Sequence, residues 1–287
     1  LLNSSSSQFK LHVFENLIKC NFESIISIEK DSQNFSIEDV SKKFPQIKFI
    51  IPLETATDGD LINIAMSEIK SDYVLVIRDS LYIPSGVILP NLCKQLTSSQ
   101  IFCVVPRLLD NEKNGLPVCF IPSAEKKHFV LDKSSVIKDG KKTIYPFDNI
   151  AIYNRKKFIS LGGFDHTIKS QYWQNLDLAV RSWLWGEETR LTTMLQFRYI
   201  EECPIEDQSI NIDYLKFFLK NELPKIKNEV AYLKASSVIN FYFKSSCGFF
   251  EARRLVSVTR QWILKNKYRF KTDLLKLILE WDVQNED

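Results

Sequence analysis

Residues 63–83 read NIAMSEIKSDYVLVIRDSLYI, and this stretch decides the fold. It has the texture of a helix, then a strand, then an acidic turn at Asp79 and Ser80. The strand YVLVI is short, continuously apolar and β-branched, as a parallel strand covered on both faces must be. Open α/β sheets hold their ligands at the carboxyl ends of the strands. An aspartate placed there can bind a metal, a sugar hydroxyl or a ribose; it can equally cap the following turn.

The flanking sequence repeats the same alternation. FKLHVFENLIKC (9–20) reads as a helix, and strand 24–29 leads to helix 37–44, with Ser36 or Asn34 as N-cap. Pro45 ends that helix; strand 47–53, helix 59–70 and strand 73–78 follow. Beyond Pro84 a helix over 86–97 precedes a strand over 101–105. This order predicts an α/β fold with a mostly parallel sheet flanked by helices. Residues 106–147, with Pro106, Gly115, Pro117, Pro122, Gly140 and Pro146, are expected to be irregular. From about Asn211 the pattern becomes amphipathic, Lys-rich helix without sheet signals.

Composition narrows the function classes. At 287 residues, 45% hydrophobic and 25% charged, the chain is an ordinary globular protein with room for one core and a smaller appendage. A net charge of +3 and the lack of a nucleic-acid motif argue against nucleic acid as a partner. Residues 212–282 nevertheless carry 14 Lys/Arg against 7 Asp/Glu, so a basic helical region follows a near-neutral one. Within it, WILKNKYRFK (262–271) mixes aromatics and cations, as a contact with anionic headgroups would, or as a solvated helix face can. The six cysteines are scattered without a C-x-x-C pair and read as buried free thiols of a reducing compartment. Ser4–Ser7 reads as a flexible end. Without a signal-peptide pattern or an apolar run of about 18 residues, the expected location is cytoplasmic, or peripheral to a membrane.

Five segments together resemble the nucleotide-sugar-binding domain of family 2 glycosyltransferases, which have the GT-A fold. In the opening stretch Asn63 matches the asparagine of R-N-x-G, Asp72 and Tyr73 the acidic-aromatic pair, and Asp79 the first aspartate of D-x-D. FESIISIEKDS (22–32) resembles the second strand, with Glu29 in place of the base-reading aspartate. VVPRLLDNEKNG (104–115) resembles the V-x-P-R-L-x-D-x-x-G hairpin, and NRKKFISLGGFD (154–165) the R-x-x-F-x-x-x-G-G-F-D loop. YWQNLDLAVRSWLWG (172–186) is similar to the E-D-x-D-L-x-x-R helix. The match runs from residue 8 to about 200 and implies a GT-A-like domain over 1–207 with a basic helical region over 208–287. Family members open with a strand ending in P-x-Y-N; that strand either lies upstream of Leu1 or the pocket is built without it.

The resemblance implies sugar transfer from a nucleotide-diphosphate donor, such as a UDP-sugar, to a saccharide, lipid or protein acceptor in cell-surface glycan synthesis. Glu29, Asn63, Asp79 and Ser80 would bind the donor, and Gly162, Gly163, Phe164 and Trp173 the acceptor. Two elements depart from the pattern. Leu81 replaces the second D-x-D aspartate, so Mg²⁺ or Mn²⁺ would rest on Asp79 alone. Asn175 takes the place of the general base, and an amide is not basic at neutral pH. Asp165, His166 and Asp177 are then the remaining catalytic candidates. The alternative is a GT-A protein without catalysis, serving as scaffold, partner subunit or carbohydrate-binding module. No G-x-G-x-x-G or G-x-x-x-x-G-K-[ST] supports another nucleotide-binding fold.

Overall fold

A computed structural model describes residues 1–3, 9–29, 37–84, 88–125 and 128–281. The proposed N-cap at Ser36 or Asn34, the Ser4–Ser7 run and the start of the helix expected from residue 86 lie outside them.

The first half follows the expected alternation. Strand β1 (Leu2–Asn3) precedes helix α1 (Phe9–Ile18), β2 (Ile25–Glu29), α2 (Ile37–Lys43), β3 (Ile47–Ile50), α3 (Asp58–Glu68) and β4 (Tyr73–Val76). Helix α3 starts where Thr57 and Asp60 cap each other reciprocally, which satisfies two otherwise orphaned backbone donors. Next come β5 (Leu81–Tyr82), α4 (Pro90–Thr97), β6 (Cys103–Leu109), β7 (Cys119–Glu125), β8 (His128–Ser134), β9 (Ala151–Asn154), α5 (Arg155–Leu161), α6 (Gln171–Leu184) and β10 (Thr189–Tyr199).

The strands form two sheet segments, β1-β2-β3 and β4-β9-β6-β10-β5. Leu2 joins them: its N–H donates to Ile77 O at 2.9 Å, and Asp79 N–H donates to Leu2 O at 3.2 Å. Pairings β1–β2, β2–β3 and β6–β10 are parallel, whereas β9 runs antiparallel to β4 and β6. The sheet is therefore mixed at β9 and at β5, where the chain reverses. Its buried faces carry Ile26, Ile28, Val76, Val104, Val105 and Ile152, the β-branched residues that suit a sheet covered on both sides.

Two expectations are corrected. Residues 106–147 are not irregular throughout, because β7 and β8 form a seven-pair antiparallel hairpin. The C-terminal region also holds a hairpin, β11 (Pro224–Lys227) with β12 (Val230–Leu233), between helix α7 (Ile212–Phe217) and helices α8 (Ala235–Lys244), α9 (Phe249–Asn266) and α10 (Leu274–Trp281). Its two turn residues, Asn228 and Glu229, both have positive φ (52° and 62°), the geometry that matches the twist of paired strands. A π-helical turn, Phe218–Glu222, continues α7.

The C-terminal helices do not stand apart. Phe217, Ile263, Phe270, Leu274 and Trp281 share one apolar cluster with Trp173, Leu176, Val180 and Trp183 of α6. Helix α6 is buried on nearly all sides for that reason.

Candidate functional site

The G-G-F-D loop is built by the end of α5. Gly162 closes that helix at φ 88°, a left-handed conformation that favours glycine. Gly163 follows at φ 65°, and a Cβ there would collide with Asn63 Oδ1. Asn63 is held at that position by two bonds to the loop: its Nδ2 donates to Phe164 O, and Phe164 N–H donates to its Oδ1, both at 2.9 Å. The two segments that the sequence assigns to donor and acceptor thus meet.

Buried charges fix the loop and α6 behind it. Asp177, fully buried, accepts from Arg181 (2.9 Å), Lys220 (3.0 Å) and Asn221 (2.8 Å). Lys220 stands on the π-helical turn, reaches Asp165 at 2.9 Å, and lies over the Trp262 ring. Burial opposes ionisation of Asp165, but Lys220 and the Thr167 donors outweigh it and hold the carboxyl well below the usual range. Arg181 also donates to Leu161 O and Gly163 O. Trp173, expected at an acceptor, instead packs its ring against Tyr172, Tyr214 and Phe217 and donates to Ser209 O. His166 is exposed on the loop.

At the carboxyl end of β4, Arg78 rather than Asp79 is the organising residue. Its guanidinium, 7% exposed, pairs with Asp58 at 2.5 Å and with Asp148 at 2.6 Å. Tyr199 donates to the same Asp148 at 3.0 Å. Asp148 and Asn149 both adopt positive φ, 54° and 62°, in a non-glycine turn that these partners hold. Asp79 is 1% exposed and Glu29 3%; Glu29 accepts from Asn3 (2.6 Å) and Ser27 (2.8 Å). Ser80 accepts a backbone bond from Ile200.

One cavity, of about 570 Å³, is an apolar slot between β2 and β4, in line with β1, and no predicted site residue lines it. A second, about 310 Å³, opens at the start of α6 and is polar. Asp148, Asn149, Gln171, Tyr172, Asn175 and Glu206 face it. Asn175 donates to Pro146 O at 2.8 Å, so its amide is oriented rather than mobile. Burial pushes the Glu206 carboxyl up to about 7, against the pull of the Tyr145 hydroxyl at 2.6 Å. Burial likewise pushes Asp148 up to about 6, although Arg78 pulls it down. Two carboxyls whose pKa burial raises therefore share one cavity. Asp79, Glu29, Asp165 and His166 line neither cavity.

The sequence points to none of Arg78, Asp58, Asp148, Glu206 or Lys220. A cation ending an apolar strand, as in VIRDS, is the one signal that singles out Arg78. Lys220 looks like any other lysine of a Lys-rich helix, and only its burial distinguishes it.

These residues do not fit a divalent ion. Asp58 and Asp148 are already bridged by a guanidinium, and the buried Leu81 offers no oxygen. Among the described residues no group of three or more His, Cys, Asp or Glu converges on a common point.

The arrangement defines a class by its fold: this is a GT-A-type α/β chain with added C-terminal helices. No family model matches the sequence, and no curated protein matches it significantly. Solved structures do. TarS of S. aureus matches at TM-score 0.54 and 10% identity, over 90% of this chain and 42% of that one. GalNAc-T7 with UDP, GalNAc and Mn²⁺ matches at 0.59 and 10%, over 92% and 51%. The mannosyltransferase PcManGT from Pyrobaculum calidifontis, with GDP-Man and Mn²⁺, matches at 0.51 and 12%, over 92% and 70%. All three are GT-A glycosyltransferases. This chain spans about half the length of the first two. None of its described helices is long and apolar enough to cross a membrane.

Proposed function

We propose that the chain transfers a sugar from a nucleotide-diphosphate donor to an acceptor hydroxyl, and does so without a divalent ion. The fold supports the class of reaction, and the Asn63–Phe164 contact supports a cleft shared by donor and acceptor segments. The observation that carries the reading is the polar cavity at the start of α6, which Glu206, Asp148 and Asn175 all line. Asn175 cannot take a proton, whereas a carboxyl near 7 can. Glu206 would then accept the hydroxyl proton as the acceptor oxygen bonds to the anomeric carbon and the bond to the diphosphate breaks. In this reading Asn63 and Ser80 mark the donor side, Glu29 and Asp79 are buried and line neither cavity, and the G-G-F-D loop frames the acceptor. Residues 1–207 would form the transferase domain. The basic helices of 208–287 would give the chain a membrane-peripheral place.

Two of the neighbours carry Mn²⁺, whereas in this chain Arg78 bridges Asp58 and Asp148, so those two carboxylates are not open to an ion. The same fact favours a second reading, ligand binding without transfer. Release of free sugar from UDP- and GDP-sugars separates them. Measurable release that falls roughly 100-fold in Glu206→Gln supports transfer. Nucleotide binding without release by the wild type supports the second reading.

A further inference from the structure

Helices α8 and α9 form a hairpin whose apex carries three phenylalanines turned to solvent. Phe243, Phe249 and Phe250 are 85%, 63% and 86% exposed. Phe249 packs edge-on against Phe250 and tilts against Tyr242, and Phe243 stands exposed next to Tyr242 in the chain, so the apex is an aromatic knob. The hairpin is not loosely held. Val238 and Phe241 of α8 are buried against Ala252, Leu255 and Val256 of α9 and against Leu219 and Leu223. The outward phenylalanines therefore contribute nothing to that core.

The charge around the knob is one-sided. Residues 234–271 hold nine Lys/Arg and a single acid, Glu251, which pairs with Arg254. Along α9 the exposed positions Phe250, Arg253, Arg254, Ser257, Arg260 and Leu264 recur at helical spacing on one face. An apolar tip backed by cations along one helix face matches an anionic bilayer surface: aromatics enter the headgroup boundary, and arginines stay at the phosphates. A protein surface would not call for this separation of apolar tip from cationic flank.

WILKNKYRFK (262–271) is for the most part packed against the fold. Trp262 stacks on Trp185, Ile263 and Phe270 are buried, and Arg269 lies over the Trp185 ring. Of its aromatics Trp262 and Phe270 turn inward, whereas Tyr268 is exposed beneath Lys267.

We infer that the Phe243/Phe249/Phe250 knob, with Arg253, Arg254 and Arg260 beside it, docks the chain on an anionic lipid bilayer. The inference rests on the membrane-peripheral placement proposed above and is independent of glycosyl transfer. Co-sedimentation of the whole chain with vesicles of phosphatidylcholine, alone or mixed with phosphatidylglycerol, tests it. The expected result is binding to the mixed vesicles only, weakened by salt. Phe243→Ser/Phe249→Ser/Phe250→Ser should then lower the partition coefficient by about tenfold or more with an unchanged melting temperature. Arg253→Ser/Arg254→Ser/Arg260→Ser should reduce binding toward the phosphatidylcholine level. A wild type that stays in the supernatant overturns both the knob and the membrane placement. Undiminished binding by the phenylalanine variant overturns the knob while the membrane placement stands. A wild-type dimer that the phenylalanine variant converts to monomer also overturns it, since the knob would then be a contact between copies.

Discussion

Arg78 Nε lies 2.6 Å from Asp148 Oδ2, and both side chains are almost wholly buried. The pair ties the end of β4 to the turn before β9, and Asp58 on the far side of the guanidinium ties in the start of α3. A buried positive charge thereby joins three segments that are far apart in the sequence.

Removing that charge leaves two buried carboxylates unpaired. Arg78→Met should cost about 3–5 kcal/mol of unfolding free energy, since breaking one side of a buried ion pair strands the other. Arg78→Lys should cost less, because it keeps the charge while losing the fork that spans both carboxylates. Urea denaturation of the two variants measures the difference.

Glu206 and Asp148 give stability a specific pH dependence. Each has a folded-state pKa above its ordinary value, about 7 against 4.5 for Glu206 and about 6 against 3.8 for Asp148. Between those values the folded chain holds more protons than the unfolded one, so stability falls as pH rises. Glu206→Gln should flatten the fall between about pH 4.5 and 7. Asp165 works the other way: its depressed pKa contributes stability above its ordinary 3.8 that is lost on acidification. Melting temperatures of wild type and Glu206→Gln across this range check the slope.

The clasp between α3 and the G-G-F-D loop can be weighed by a double-mutant cycle. Asn63→Ala should cost about 1–3 kcal/mol, because it leaves the Phe164 amide and carbonyl without their partner. Gly163→Ala should be destabilising both from its positive φ and from the collision with Asn63. The collision disappears when Asn63 is truncated, so the double variant should lose less than the sum of the two. Additive losses would mean that the glycine is needed for its backbone alone.

How much of this was legible in the sequence follows from what each residue had to do. β2, β3 and β4 and their helices were readable because short, largely apolar strands alternate with helices between polar turns. The β7–β8 hairpin was hidden by Pro122 and by the exposed, charged face of β8. The β11–β12 hairpin was hidden because its left-handed turn is made by Asn228 and Glu229, with no glycine to mark it. At the site, Asn63 and the glycine pair were identifiable from their pattern. Arg78, Asp148 and Glu206 come from three distant segments, and only the closed sheet brings them to one end of the molecule. Lys220 shows the limit most directly: its partners Asp165 and Asp177 lie over forty residues away, and nothing local marks it as buried.

The claim on which the rest depends is that the chain binds a nucleotide-sugar without a divalent ion. Calorimetric titration of UDP and GDP into the wild-type chain, first with EDTA and then with Mn²⁺, reads it directly. Saturable binding of one nucleotide, with a Kd that Mn²⁺ alters by less than about twofold, is the expected result. Absence of binding by either nucleotide, or binding that requires Mn²⁺, would contradict it.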